Sequence, residues 1–117
     1  FADGAIAMAD GTRIAEGAEA VEALYVSTTR RYDDDGTPHT KHVTTNISVD
    51  LDAGGDRAVV RSYFTVFQGL VDFPLQPIIS GRYEDFVERL DGGWAFRERR
   101  MHPELHGDLS RHLLIEL

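Results

Sequence analysis

The sequence predicts a single-domain α+β fold, and three observations carry that prediction. One stretch has apolar residues at helical spacing, later segments are rich in β-branched and aromatic residues, and short Asp/Gly turns join those segments into an antiparallel meander. With 42% apolar residues, 117 residues suffice for one core without disulfides or a structural metal, so residues 1–117 form one domain.

The elements follow in chain order. From Ala5 to Arg13, small residues lead through the turn signal Ala9-Asp10-Gly11 to Ile14, a short strand or hairpin. Gly17 then precedes a helix over Ala18–Thr29, in which Val21, Leu24 and Tyr25 share a face. Asp33-Asp34-Asp35-Gly36 is a solvated turn without the spaced ligands of a calcium loop. Strands are expected over His42–Leu51, Arg57–Phe67, Ile78–Leu90 and Trp94–Met101, with turns at Asp52–Asp56 and Asp91–Gly93. Between the middle two, Gly69–Pro77 holds Pro74 and Pro77 and is expected to be an apolar loop, because proline cannot donate to a ladder. Leu109, Leu113 and Leu117 make a stripe suited to a short terminal helix.

Composition excludes several functions. Twenty acidic against twelve basic residues give a net charge of −8, which repels a phosphate backbone, so nucleic acid is not an expected partner. No apolar run approaches the ~20 residues that span a bilayer, and no membrane contact is expected. The absence of cysteine rules out thiolate chemistry and Cys-ligated zinc and fits a reducing cytoplasm. The opening Phe1 reads as a cut into a longer protein, and no cleavable leader is visible. His102-Pro103-Glu104-Leu105-His106 is not the helical His-Glu-x-x-His motif, since Pro103 opposes a helical pairing of the two histidines; no metal and no cofactor are expected.

Three features occur in order: His42-Val43-Thr44-Thr45-Asn46 opening a strand, Gly81-x-Tyr83-x-Asp85, and Gly93-Trp94 with Arg99 five residues after the tryptophan. Together, from Phe1–Ala5 to the Gly107–Ser110 tail, they resemble the SnoaL-like domain of the nuclear transport factor two-like superfamily. The resemblance implies a strongly curved antiparallel sheet and N-terminal helices forming a cone (a cystatin-like roll), with a small apolar or cyclic molecule as ligand and a homodimer or homotrimer as the assembly. Family members include dehydratases, isomerases, polyketide cyclases and the non-catalytic small subunits of ring-hydroxylating dioxygenases.

In scytalone dehydratase and the γ-hexachlorocyclohexane dehydrochlorinase, a strand histidine works with an aspartate from an N-terminal helix. His42 matches that histidine and Arg99 is similar to the dehydrochlorinase's pocket arginine. The aspartate has no match and would lie upstream of Phe1, on helices that this chain lacks. The resemblance therefore implies a lyase or isomerase in which His42 is a general base, worth roughly 10²–10⁴-fold. Arg99 would steady developing negative charge, and Tyr25, Asn46 and Tyr63 would line the pocket. The alternative is a non-catalytic binding or subunit-interaction domain similar to a dioxygenase small subunit.

The residues themselves offer blander readings. Arg99 could be an ion-pair partner on a charged outer strand, Arg97–Arg100, and Trp94 a packing residue. Strict alternation puts His42 with Thr44, Asn46 and Ser48, opposite Val43, Ile47 and Val49. If the apolar face is inside, His42 points outward unless a bulge at Thr44-Thr45 shifts the register; if the polar face lines a wet pocket, it points inward.

Overall fold

The computed structural model describes residues 3–116. Phe1 and Ala2 of the opening motif, and Leu117 of the terminal stripe, lie outside them. The elements are β1 (Ala5–Ala7), β2 (Arg13–Glu16), α1 (Ala18–Thr28), β3 (Thr40–Leu51), β4 (Arg57–Leu70), β5 (Phe73–Leu90) and β6 (Gly93–His106). They form one curved six-stranded sheet in the order β2-β1-β6-β5-β4-β3, in which β1 runs parallel to β6 and every other pair is antiparallel.

The β1–β2 hairpin turns at Asp10, whose carboxylate accepts the Thr12 N–H at 2.8 Å. Its return strand leads into α1 through Gly17 (φ 83°), whose N–H donates to the Gly4 carbonyl at 2.7 Å. The left-handed backbone at this junction is open to glycine without a Cβ penalty. Val21 is buried with Ile6 and Ala15, and Leu24 packs on the same cluster, so the expected helical stripe holds α1 against the sheet. A larger cluster joins Phe64, Val66, Phe73, Ile78 and Tyr83, and Met101 touches both. The face of the sheet that carries these residues is the inner face.

The register of β3 resolves the alternation problem. Asn46 and Ile47 together oppose Ser62, a bulge two residues beyond the expected Thr44-Thr45, and Asn46 takes the left-handed conformation (φ 53°) that asparagine tolerates. Before the bulge His42 pairs with Val66 and Thr44 with Phe64; after it Val49 pairs with Val60 and Leu51 with Ala58. Directly paired residues share a face, so one strand places His42 on the inner face near one end and Val49 and Leu51 on that face at the other, where they stay more than half exposed.

Three expectations are corrected. The Gly69–Pro77 loop is a hairpin: β4 runs on to Leu70 and β5 starts at Phe73. Pairing with β6 begins only at Ile79, so Pro74 and Pro77 lie where one side of β5 is unpaired, a position that tolerates proline. The terminal stripe forms one turn, Leu113 N–H to Leu109 carbonyl at 2.9 Å, and then bridges Thr29, because the tail finds backbone partners on the end of α1 instead of propagating a helix. β6 is not an outer strand, since β1 covers its edge; Glu98 there is buried and accepts from Arg13 and Arg100. Burial works against that carboxylate, but the two guanidinium groups outweigh it and hold its pKa below the ordinary range.

At the centre of the inner face, Asp85 is buried and accepts two parallel bonds from Arg99, Nε to Oδ1 at 2.9 Å and Nη2 to Oδ2 at 3.0 Å. The Arg99 guanidinium lies 3.8 Å from the Tyr83 ring centre, and Tyr83 stacks on Phe64 at 4.3 Å. Removing one partner strands a buried charge, which costs ~3–5 kcal/mol in full burial; the Arg99 side chain is 25% exposed, so the lower end applies. Asp85→Asn is therefore expected to lower the melting temperature by roughly 10 °C or more, read by calorimetry. Gly81→Ala drives a Cβ into the His102 carbonyl oxygen where β5 and β6 approach closely, and is expected to cost about 1–3 kcal/mol in denaturant unfolding.

Candidate functional site

A cavity of about 480 Å³ opens between the inner face, α1 and the C-terminal tail, within the roughly 300–1,000 Å³ usual for small-molecule sites. Its walls are mainly apolar, with Phe64 and Val66 from β4, Met101 from β6, and Leu109 and Leu113 from the tail. The polar groups that reach it are His42, His112, Tyr25, Tyr83, Arg31 and a few threonines. Among the described residues none of its lining is acidic, although the chain carries twenty acidic side chains.

His42 lines the cavity from β3, between Thr40 at the strand's start and the bulge. As a residue it stays exposed, yet the protein atoms around its ring depress its pKa below the ordinary 6.5, and the Arg99 charge adds to the effect. The imidazole is neutral at pH 7 and free to accept a proton. Tyr25 projects from α1 into the same cavity. Burial pushes both the Tyr25 and Tyr83 phenols above their ordinary range, with Arg99 partly offsetting it, so both stay protonated donors.

Arg99 is not part of the wall. It lies beneath Tyr83 and is held by Asp85; burial disfavours its cation, and the Asp85 carboxylate more than offsets this, so its pKa is raised. Its charge acts on His42 in the wall while its Nε and Nη2 are engaged by Asp85. Tyr63 and Asn46 stand apart from the cavity. Tyr63 pairs with Thr45 on the outer face and is 52% exposed, because β4 alternates it away from Phe64; Asn46 is spent in the bulge. Trp94 is 46% exposed under the Arg89 guanidinium instead of packed in the core.

Tyr83 and His112 are wall residues that no local sequence pattern marks. The place of Tyr83 follows from its stacking on Phe64. His112 enters the wall because its carbonyl accepts from Arg30 at 2.8 Å and Leu114 N–H donates to Thr28 at 2.9 Å. No local pattern reports such a long-range tie. A wider, more open cleft of about 620 Å³ lies at the acidic turn, beside Tyr32 and Asp72. There Asp34 and Asp35 flank His39, whose pKa the Asp34 carboxylate raises, and these groups satisfy one another in solvent.

Solved structures share this fold. A Mycobacterium tuberculosis protein of unknown function, solved as an aspartate-to-asparagine variant, is 25% identical with a TM-score of 0.67, over 89% of this chain and 55% of that one. A Nostoc punctiforme protein of unknown function with a cystatin-like fold is 24% identical with a TM-score of 0.68, over 93% and 74%. A scytalone dehydratase candidate from Novosphingobium aromaticivorans is 24% identical with a TM-score of 0.63, over 90% and 66%. The chain thus spans little more than half the length of the first of these proteins. No curated protein sequence matches it significantly. The family model described as the SnoaL-like domain matches residues 1–100, and with that match over most of its length the chain belongs to the SnoaL-like domain family.

Proposed function

We propose that the cavity binds a small apolar or cyclic molecule and that His42 acts on it as the general base of a cofactor-free dehydration, elimination or isomerisation. The observation that carries this reading is an inward imidazole, neutral at pH 7, in the wall of an apolar cavity of about 480 Å³. A C–H next to a carbonyl or a leaving group would give its proton to His42, and the electron pair would move to the carbonyl oxygen or expel the leaving group. The Tyr25 and Tyr83 hydroxyls can donate to the developing oxyanion, and the Arg99 charge behind Tyr83 lowers its energy. Assembly as a homodimer or homotrimer belongs to the same reading, supported by apolar side chains left open on the outer face, Val43 and Tyr63 among them. So does a cytoplasmic location, supported by the lack of cysteine.

One observation favours the non-catalytic alternative, a ligand-binding or subunit-interaction domain. Among the described residues no carboxylate lines the cavity to orient His42, and Asp85 on the inner face is taken by Arg99.

Screening hydroxylated and halogenated cyclic ketones for elimination or isomerisation separates the two readings. For a substrate so found, His42→Gln is expected to lower kcat by roughly 10²–10⁴-fold. The rate should climb with pH and level off at a midpoint below 6.5, since protonation of His42 abolishes the base. Turnover unchanged in His42→Gln, or a midpoint above 6.5, would contradict the assignment.

A further inference from the structure

The free edges of the sheet are guarded unequally. At one end β2 has only four residues, two of them the ion-paired Arg13 and Glu16. The stretch of β5 before its pairing with β6 carries Pro74 and Pro77. At the other end β3 pairs with β4 alone and runs for 12 residues without a proline, rich in Thr, Val and Ile. An uncovered edge of that length presents a row of backbone donors and acceptors to another strand. From Lys41 to Leu51 every residue is exposed, and Ile47, Val49 and Leu51 are each more than half so. Lys41 has no ion-pair partner among the described residues. Asp50 meets Arg61 through Oδ2 at 2.8 Å, and its side chain is 73% exposed.

The strand is complementary to itself. Asn46 and Ile47 together oppose Ser62 and so count as one step along β3. A second β3 laid antiparallel and end to end then sets Thr40 against Leu51, Lys41 against Asp50, His42 against Val49 and Val43 against Ser48, with Thr45 meeting Thr45 at the two-fold axis. Each of these pairs lies on one face: Lys41, Val43, Thr45, Ser48 and Asp50 are on the outer face, and Thr40, His42, Val49 and Leu51 on the inner. A slip of one step sets inner against outer residues, and a slip of two parts Lys41 from Asp50. We propose that β3 is a homodimer interface at which two copies of this chain join their sheets edge to edge in this register. This rests on the reading of the protein as a homo-oligomer and gives that assembly its surface and symmetry. Two Lys41–Asp50 pairs, one on each side of the axis, fix the register. The partner's Val49 and the partner's Leu51 stand beside His42 and Thr40, which line the cavity, so the second copy extends that wall with side chains that a lone chain leaves open.

The chain has no cysteine, so single introduced thiols report the register without background. Light scattering of the wild-type protein is expected to give twice the 13.1 kDa of the chain. Under oxidised glutathione Thr45→Cys should be trapped as a covalent dimer, while Val43→Cys should not, because its two copies lie about 13 Å apart, beyond disulfide reach. Lys41→Glu turns two attractive pairs into repulsive ones and is expected to raise the dimer dissociation constant at least about tenfold in sedimentation, with an unchanged circular dichroism spectrum showing that the variant is folded. A Lys41→Glu dimer as tight as the wild type, Val43→Cys linking as readily as Thr45→Cys, or a trimeric mass would overturn the edge pairing and leave the homo-oligomer reading intact. A single-chain mass at every concentration would overturn both.

Discussion

The bidentate bond between Arg99 and Asp85, capped by the Tyr83 ring, is the interaction on which the inner face depends. It joins β5 to β6 at the middle of the sheet, with the Asp85 carboxylate buried and the Arg99 side chain partly exposed. Stacking carries the order outward, from guanidinium to Tyr83 to Phe64 on β4, so three neighbouring strands share one column of side chains. The floor of the cavity is set by that column. A pair so buried adds little net stability compared with a hydrophobic substitute, and its value lies in fixing where Tyr83 stands and where the positive field points.

The bulge at Asn46 is the second constraint. Without it β3 would present either His42 or Val49 and Leu51 to the inner face of the sheet, but not both. The extra residue puts His42 in the cavity wall near one end of the strand, while Val49 and Leu51 lie on the same face at the other and stay more than half exposed. The same inner face therefore offers an imidazole, phenol donors and an apolar wall.

Much of this architecture is legible in the sequence because it is local. Val21 and Leu24 at helical spacing mark α1, and the glycines at Asp52–Asp56 and Asp91–Gly93 mark the turns that force the meander. What is not legible depends on distant pairing. The position of the bulge follows from Ser62 opposite Asn46 and Ile47, which alternation along β3 alone does not report. The prolines at 74 and 77 are read as loop residues until it is known that β6 starts pairing only at Ile79. His112 belongs to the cavity because the tail bridges Thr29, more than eighty residues earlier in the chain, and nothing in its own surroundings announces that. Arg99 was legible as a candidate yet ambiguous in role, and its engagement by Asp85 assigns it to the support of the wall.

A crystal structure of the protein soaked with a bicyclic ketone would show whether a small cyclic molecule sits against His42 in the cavity. Ligand density is expected over the Phe64–Tyr83 stack, with a ligand atom within hydrogen-bond reach of the His42 ring. A cavity closed by its own side chains, with His42 turned to solvent and no ligand inside, would overturn the small-molecule reading.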